Sequence, residues 1–341
     1  MNAVAQYVYA GGFTMGMMKH FNVLAHLEDP KPFAAEVIDI NRHVLGPDLE
    51  IVPEGPNGWP LESFADKNVR LLYANPPCAP FSGLNPRSVG EGWRQDTRVE
   101  CIQKVVMNGL AMRPDVWMFE SVPRLLTSGK ELVDQCASVA MANGWSVTTF
   151  KHNTHLFGSV QTRKRVLFIA HRVQLPEPEP LAIRKTVRDA LGELATWLNG
   201  RPDDSWRWTE PHANLNPLVP QGKKLREIYL EKHPPGTPRP PGCVPSTMGS
   251  YRLYWDRPSP TMTGFLFMHP AEHRHASLKE MATLADWPLE TNLVQAGKMC
   301  GYLAKGLSPI FTDWLGGWIR SALDANEPIG TPERHHVEVL K

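Results

Sequence analysis

The sequence predicts a doubly wound α/β fold with a mostly parallel sheet, followed by a smaller irregular domain. Short strand-like apolar runs alternate with amphipathic helical stretches in the first half of the chain, which is the order of βαβ units. Small or polar residues follow these strands directly, where such folds place ligands. Near residue 175 the sequence becomes proline-rich, and 341 residues are enough for one large domain or two modest ones.

The first βαβ unit contains a glycine turn and an acidic pair. Residues 3–9 read as a strand, residues 10–17 as a turn opening into a helix, and residues 23–27 as a strand ending in Glu28 and Asp29. In a nucleotide-type site, glycines let a ligand approach the backbone and the acid binds a ribose diol. The glycines do not form GxGxxG, and tight turns favour glycine for their own geometry. A cofactor site and a plain structural turn both fit this pattern.

A single cysteine follows two prolines at the end of a predicted strand. After a helix over 33–40 and an unassigned stretch over 42–68, residues 69–73 read as a buried strand, and 75–77 (Asn-Pro-Pro) lead to Cys78. The prolines fix the backbone ahead of the thiol. A thiol on a stiff turn at a strand end is well placed to be a nucleophile, and a buried structural cysteine is the alternative.

A carboxylate occupies the corresponding place on the next strand. The polar loop 82–96 is either a mobile lid or a plain surface loop, and an amphipathic helix is predicted over 97–112. The strand 116–119 then ends at Glu120. Carboxyl ends of parallel strands meet at one edge, so Glu120 is a candidate acid near Cys78. A solvated or helix-capping glutamate is the alternative.

Two arginines and an amide alternate further along the chain. After a predicted helix over 129–143 and a strand over 146–150, Gln161, Arg163 and Arg165 lead into another strand. Alternation places the three side chains on one face of an extended segment. This set suits contacts to phosphates or bases, and a solvated sheet edge is the alternative.

The second half is irregular before it ends in a helix. A boundary is predicted near 175, and the run 233–242 is rich in proline. Ser277 and Glu280 have the spacing of a capping box, and a long helix is predicted over 310–323. The predicted divisions are 1–175, 176–300, 301–325 and a polar, frayed tail over 326–341.

Composition excludes several classes of protein. The net charge is +1, so a nucleic-acid partner would need a local basic patch. No run resembles a signal peptide or is long enough to span a membrane, so we expect a cytoplasmic protein. The cysteines are scattered without a CxxC pair, which argues against a metal site or a disulfide framework. They are Cys78, Cys101, Cys136, Cys243 and Cys300.

Taken in order, these motifs resemble the cytosine-C5 DNA methyltransferase family, from residue 3 to about 323. PPCAPFS (76–82) resembles its Pro-Cys nucleophile motif, and FESVP (119–123) its Glu-Asn-Val motif. QTRKR (161–165) resembles Gln-x-Arg-x-Arg, and AGGFTMG (10–16) the glycine loop for S-adenosylmethionine. RPSPTMTG (257–264) resembles the segment between target recognition and the final helix.

The resemblance implies a fold, a reaction and a mechanism. The fold is the Rossmann-like class I of S-adenosylmethionine-dependent methyltransferases, with 1–175 as the catalytic and cofactor domain and 176–300 as the target-recognition domain. Cys78 would attack carbon 6 of a cytosine flipped out of DNA, and Glu120 would bind N3 and the exocyclic amine. Arg165 would contact the base oxygen and Arg163 the phosphate backbone.

The resemblance also implies the ligand-binding residues and the partners. Expected cofactor contacts are Tyr7, Ala10, Gly11, Gly12, Phe13, Asn75, Pro77, and either Glu28 or Asp29 as the ribose acid. Expected substrate contacts are Pro77, Ser82, Gln161, Thr261 and Thr263. The expected partner is double-stranded DNA, bound by a monomer in the cytoplasm of a bacterial or phage-infected cell.

The sequence departs from the family pattern mainly on the cofactor side. Ala5 stands for the usual aspartate, Tyr9 for a glycine and Ser121 for the asparagine of Glu-Asn-Val. The closing motif is replaced by 304–309, which includes Lys305. Two other functions stay open: an idle relative that only binds DNA, and the same chemistry on RNA or a free nucleotide. The Cys-Phe-Thr tripeptide typical of the tRNA-acting branch is absent from the sequence.

Overall fold

An eight-stranded sheet with helices on both faces organises the chain. The computed structural model describes residues 1–9, 11–28, 32–83, 85, 92–205, 215–232, 250–263 and 267–341. The strands are β1 (Asn2–Gln6), β2 (Asn22–Glu28), β3 (Glu50–Pro53), β4 (Val69–Ala74), β5 (Val116–Ser121), β6 (Ser146–Asn153), β7 (Gln161–Thr162), β8 (Lys164–His171), β9 (Tyr251–Arg252), β10 (Ser259–Pro260), β11 (Phe267–Met268) and β12 (Arg334–Val339).

The strand order confirms the predicted fold class. The large sheet has the order β12-β6-β8-β5-β4-β1-β2-β3. Strand β8 runs antiparallel to β5 and β6, and the other neighbours in this sheet are parallel. Two short parallel pairs, β10 with β7 and β11 with β9, lie outside it.

The helices connect successive strands and cover the sheet. They are α1 (Gly12–Met17), α2 (Pro32–Ile40), α3 (Arg42–Leu45), α4 (Glu100–Met112), α5 (Lys130–Ala142), α6 (Val187–Leu198), α7 (Leu225–Lys232), α8 (Leu278–Leu284), α9 (Ala296–Lys305) and α10 (Pro309–Ala325). The Ser277 hydroxyl accepts from the Glu280 N–H at the start of α8, which confirms the predicted capping box. Helix α9 was not among the predicted elements.

Alternation along the strands fills two cores, one on each face of the sheet. In β4, Leu71 and Tyr73 belong to the first core cluster, whereas Leu72 and Ala74 belong to the second. Successive side chains of a strand point to opposite faces, so a sheet covered on both sides needs apolar residues at every position. This explains why the parallel strands read as continuous apolar runs in the sequence.

The first core cluster extends into the irregular second half of the chain. It includes residues of α6, α8, α9 and α10 as well as of the central strands. A small third cluster comprises Leu215, Val219, Leu225, Ile228, Tyr229 and Met268. The buried guanidinium of Arg252 fastens this part by donating to the carbonyls of Asn216, Val219, His269 and Glu272, each at 2.7 Å. The proline-rich run 233–242 lies outside the described residues.

The prediction of a frayed tail over 326–341 is wrong. Strand β12 pairs in parallel with β6, from Arg334 opposite Val147 to Val339 opposite His152. Val337 and Val339 pack against the first core cluster. These two alternating valines give the short polar segment one apolar side, and the edge of β6 offers it backbone partners.

Candidate active site

Cys78 and Glu120 lie at the same edge of the sheet, on adjacent parallel strands. Strand β4 ends at Ala74, and Cys78 caps a short 3-10 turn over Ala79–Phe81. Strand β5 next to it carries Glu120 as its second-last residue. Cys78 is partly exposed, whereas Glu120 is only 1% exposed. The juxtaposition expected from the strand order is therefore present.

Arg165 approaches the buried carboxylate from the antiparallel strand. Its Nε lies 2.9 Å from Oε1 of Glu120, and its side chain is 12% exposed. The two atoms form a close ion pair, and within the described part of the chain neither has a further hydrogen-bond partner. A base that enters this space can satisfy both groups, because buried polar atoms gain most from a new partner.

Burial and charge set the ionisation of the two reactive groups. Burial raises the pKa of Glu120, while the positive charges of Arg165 and Arg163 act in the opposite direction. Burial and the neighbouring Glu120 carboxylate raise the pKa of the Cys78 thiol, and the two arginines oppose them. Neutralising Glu120 removes one of the causes that keep Cys78 protonated.

Arg163 does not have the exposed position that a phosphate contact needs. Its side chain is buried, with Nη1 donating to the Ala304 carbonyl at 2.7 Å and Nη2 to the Lys305 carbonyl at 3.1 Å. Asn75 Nδ2 donates to the same Lys305 carbonyl at 3.2 Å. Arg163 and Asn75 thus tie the C-terminal end of α9 to the edge that carries Cys78. In this structure Arg163 holds the helix end, and the phosphate contact expected for it stays a prediction.

The turn between β1 and α1 is strained. Tyr7 and Tyr9 adopt left-handed backbone conformations, with φ of 57° and 54°, and Gly11 has φ of 92°. A left-handed conformation costs a residue with a side chain about 1 kcal/mol or more, and such strain concentrates at functional sites. A Cβ atom on Gly11 would lie 2.9 Å from Cδ2 of Leu45, so this position requires glycine.

The acid at the end of β2 faces this turn. Glu28 is buried, and its Oε1 accepts a hydrogen bond from the Val8 N–H at 2.7 Å. Of the two acids expected to bind a ribose, Glu28 therefore has a defined place beside the turn. Asp29 and Ala10 lie outside the described residues.

Two aromatic residues expected to contact a cofactor are buried in the core. Phe13 is fully buried, and its ring centroid lies 4.7 Å from that of Tyr73. The ring of Tyr7 packs edge-on against Trp59 at 5.5 Å. Phe13 belongs to the first core cluster and Tyr7 to the second, so the two rings pack on opposite faces of the sheet. The cofactor contacts expected for Tyr7 and Phe13 stay predictions.

The expected substrate contacts have mixed surroundings. Thr261 donates its hydroxyl to the Thr162 carbonyl at 2.8 Å, which joins β10 to β7. Gln161 is buried next to Arg163 and Ser308 under the link between α9 and α10. Pro77, Ser82 and Thr263 are partly buried, and most of the loop 82–96 before residue 92 lies outside the described residues.

The sequence interpretation missed one hub of the site. Asp286 is buried, and it accepts hydrogen bonds from the Ser159 hydroxyl, the Val160 N–H at 3.1 Å and the Ser308 hydroxyl at 2.6 Å. It therefore joins the segment that carries Gln161 to the start of α10. An acid within the apolar run LADWP was the available signal, but its partner Ser159 lies 127 positions away.

In the described part of the chain, no helix combines the length and the apolar character that crossing a membrane requires.

Sequence comparison identifies one family. The family model described as C-5 cytosine-specific DNA methylase matches residues 5–229, which include both strand-edge residues and the arginine segment. No curated protein matches the sequence.

Solved structures share the fold at low sequence identity. An E. coli prophage protein described as a DNA modification methyltransferase is 17% identical with a TM-score of 0.67, over 95% of this chain and 99% of its own. The Entamoeba histolytica methyltransferase EhMeth is 10% identical with a TM-score of 0.65, over 95% and 98%. A Spodoptera frugiperda DNMT2 variant is 13% identical with a TM-score of 0.60, over 93% and 99%.

Proposed function

Because the chain belongs to the C-5 cytosine-specific DNA methylase family, we propose that it methylates carbon 5 of cytosine in double-stranded DNA. The reaction proceeds through a covalent bond between Cys78 and carbon 6 of the base. The observation that carries this proposal is the placement of Cys78 and Glu120 on adjacent strand edges with Arg165 beside the acid. This set supplies a nucleophile, an acid and a cation at one edge of the sheet.

S-adenosyl-L-methionine is the methyl donor of this family, and it supplies an electrophilic methyl group when bound. The strained turn fits such a ligand, because it lies beside the buried Glu28 carboxylate, which the Val8 N–H holds in place at 2.7 Å. Glu28 would hold the ribose from the end of β2. The backbone of the turn, Asn75 and Pro77 would complete the site.

Glu120 and Cys78 act together in the proposed reaction. The raised pKa of Glu120 favours its protonated form, which can donate a hydrogen bond to N3 of cytosine. As the base withdraws this proton, electron density leaves carbon 6 and the Cys78 thiolate adds there. Carbon 5 then takes the methyl group as the sulfur–methyl bond of the sulfonium breaks and leaves a neutral thioether. Loss of the carbon-5 proton to solvent expels the Cys78 thiolate from carbon 6, and N3 returns its proton to Glu120, which restores the aromatic ring.

The target base has to leave the helix stack. Carbon 6 and N3 of a paired cytosine cannot both contact protein groups, so the nucleotide is flipped out at a cost of a few kcal/mol. The loop 82–96 follows Cys78 directly and is the proposed closing element.

We further propose a monomer that acts in the cytoplasm of a bacterial or phage-infected cell, in line with the prophage origin of one structural neighbour.

The test is methyl transfer from radiolabelled S-adenosylmethionine to duplex DNA, followed by bisulfite sequencing. Wild type should produce 5-methylcytosine in a defined context, Cys78→Ser should produce none, and Cys136→Ala is the matched control that should retain activity. RNA of the same sequence is the parallel substrate. Methylation of RNA alone would overturn the DNA assignment, and DNA binding without any methylation would favour an idle relative.

A trapping experiment tests the covalent step separately. DNA with 5-fluorocytosine at the methylated position should form a stable adduct, because fluorine cannot leave carbon 5 as a proton does. Mass spectrometry should locate the adduct on Cys78. An adduct on another cysteine would refute the mechanism and leave the methyl transfer itself intact.

A further inference from the structure

Two tyrosines and a lysine form a cluster beside the strained turn. The rings of Tyr9 and Tyr302 meet edge-on at 5.9 Å, with an angle of 88° between their planes. The Nζ atom of Lys305 lies 5.7 Å from each of the two ring centroids. Within about 6 Å, a cation is attracted by the quadrupole of an aromatic ring. The chain thus already holds a positive charge against this aromatic pair.

Tyr9 directly follows Val8, whose N–H donates to Glu28, and its ring meets Tyr302 on α9, the helix that Asn75 ties to the edge carrying Cys78. Burial, Cys78, Glu120 and Glu28, in that order, raise the pKa of its hydroxyl well above the usual value. The negative charges of the acid beside the turn and of the proposed nucleophile therefore both disfavour ionisation of the Tyr9 hydroxyl. The sulfonium sulfur of the methyl donor is bonded to the ribose through one carbon, and its methyl group has to face the target base near Cys78. A donor whose ribose is held by Glu28 would therefore have its sulfonium close to Tyr9.

The backbone at Tyr9 keeps a conformation for which glycine is the usual residue. Its φ of 54° is left-handed, and this conformation costs a tyrosine more than a glycine. The turn keeps its geometry and adds a ring that projects towards α9. Tyr302 is fixed on that helix, since Arg163 and Asn75 hold the helix end through the carbonyls of Ala304 and Lys305.

We propose that Tyr9 and Tyr302 form an aromatic clamp for the sulfonium of S-adenosylmethionine, and that this sulfonium replaces the Lys305 ammonium against the rings. The clamp makes the site prefer the positively charged methyl donor over the neutral thioether product, S-adenosylhomocysteine. Product release after transfer is favoured for the same reason. The inference deepens the proposed function and depends on its cofactor, but not on its DNA substrate.

The test is calorimetric titration of the full chain without nucleic acid. The measured quantity is the ratio of the dissociation constants for S-adenosylhomocysteine and S-adenosylmethionine. Tyr9→Leu and Tyr302→Leu should each lower this ratio by roughly 2- to 30-fold, the range of a cation–aromatic contact. Tyr9→Phe is the matched control, because it keeps the ring and should keep the ratio. Sinefungin, which carries an ammonium near the position of the sulfonium, should follow S-adenosylmethionine.

Lys305 provides an independent arm of the same test. Lys305→Met keeps a side chain of similar length but removes the cation that competes with the sulfonium for the rings. It should therefore raise the ratio of the dissociation constants for S-adenosylhomocysteine and S-adenosylmethionine, whereas Lys305→Arg should leave this ratio near the wild-type value. Equal changes in affinity for both ligands, or a ratio unchanged by loss of either ring, would overturn the clamp. Tighter binding of both ligands by Tyr9→Leu would mean that the ring only obstructs the site. Thermal unfolding of each variant verifies that it is folded.

Discussion

The thiol of Cys78 and the carboxyl of Glu120 are electrostatically linked residues. Each has its pKa raised chiefly by burial, and the ionised form of Glu120 raises the pKa of Cys78 further. Arg163 and Arg165 oppose this effect at both groups. A neutral Glu120 therefore leaves the arginines as the main charges near the thiol, and ionisation of Cys78 becomes easier.

Replacing Glu120 by glutamine should speed alkylation of Cys78 even while it abolishes methyl transfer. The substitution removes the negative charge that the ionised fraction of Glu120 places beside the thiol and keeps the shape, so the pKa of Cys78 falls and more thiolate is present at pH 8. Iodoacetamide labelling followed by peptide mass spectrometry measures the rate at this cysteine. Labelling of Cys101 in the same samples is the internal control. A slower rate in Glu120→Gln would contradict the coupling.

At the scale of residues, the sequence predicts the positions of side chains that follow directly from strand ends. It does not predict contacts between residues that lie far apart in the chain. Cys78 and Glu120 follow from strand ends in a parallel sheet. The role of Arg163 does not, because its carbonyl partners lie 141 and 142 positions further along the chain. Nor does the packing of Phe13, because motif position alone does not reveal that its ring faces Tyr73.

The closest packing between elements joins the N-terminal turn to the C-terminal helix. Every residue of α1 is buried, and this helix packs on α10. A Cβ atom on Gly16 would collide with the Thr312 hydroxyl and with main-chain atoms of Pro309 and Asp313. The two helices approach here because glycine leaves no side chain between their backbones.

Gly16→Ala should destabilise the fold by roughly 3 kcal/mol, the upper range for overpacking, since backbone atoms on the facing helix cannot move aside. Gly192→Ala in α6 is the matched control: nothing lies within 4 Å of its added methyl group, so stability should be unchanged or improved. Urea unfolding followed by circular dichroism measures both. Equal stability of the two variants would disprove the close contact.

Strand β12 contributes both pairing and apolar cover to the sheet edge. Removing residues 331–341 should lower stability by roughly 2–4 kcal/mol, through lost burial of Val337 and Val339 and lost backbone hydrogen bonds. Removing only residues 340–341, which follow the strand, is the control and should have little effect. The comparison uses thermal and urea unfolding. No difference between the two deletions would mean that the strand is not held in solution.

At the scale of the whole molecule, burial favours the neutral form of His26, His152 and His171. Burial lowers the pKa of His26 and His152 to about 3 and that of His171 to about 4. His26 shares a hydrogen bond with the Thr14 hydroxyl at 2.6 Å, and His152 stacks on Phe311 at 4.3 Å. Each resists protonation in the folded state and accepts a proton readily once unfolded.

The fold should therefore lose stability in acid. A histidine whose folded pKa is depressed contributes stability that is present above about pH 6.5 and is lost as pH falls towards the folded value, by about 1.4 kcal/mol per pH unit. Buried Glu120 and Asp286 act oppositely, because their pKa values are raised. The measurement is therefore the free energy of unfolding of His26→Gln and of wild type from pH 6 to 4, compared as slopes against pH, with the exposed His273→Gln as the control. A His26→Gln slope equal to that of wild type would refute the contribution of His26.

The fold class was predictable because its signal is spread over many residues. Apolar runs, turns and helices recur through the first half of the chain, and each reinforces the same topology. The tail and α9 were not predictable, since each depends on a partner far away in the sequence. Arg334–Val339 reads as polar until β6 supplies a neighbour.

The pairing of β12 with β6 also constrains the order in which the sheet can form during synthesis on the ribosome. Residues 147–152 are synthesised long before residues 334–339, so one border of the nascent sheet stays open during the intervening synthesis. Open strand borders recruit other chains. Slow translation of that interval, or a stop within it, should therefore show up as aggregation of nascent chains rather than as lower activity of the finished enzyme.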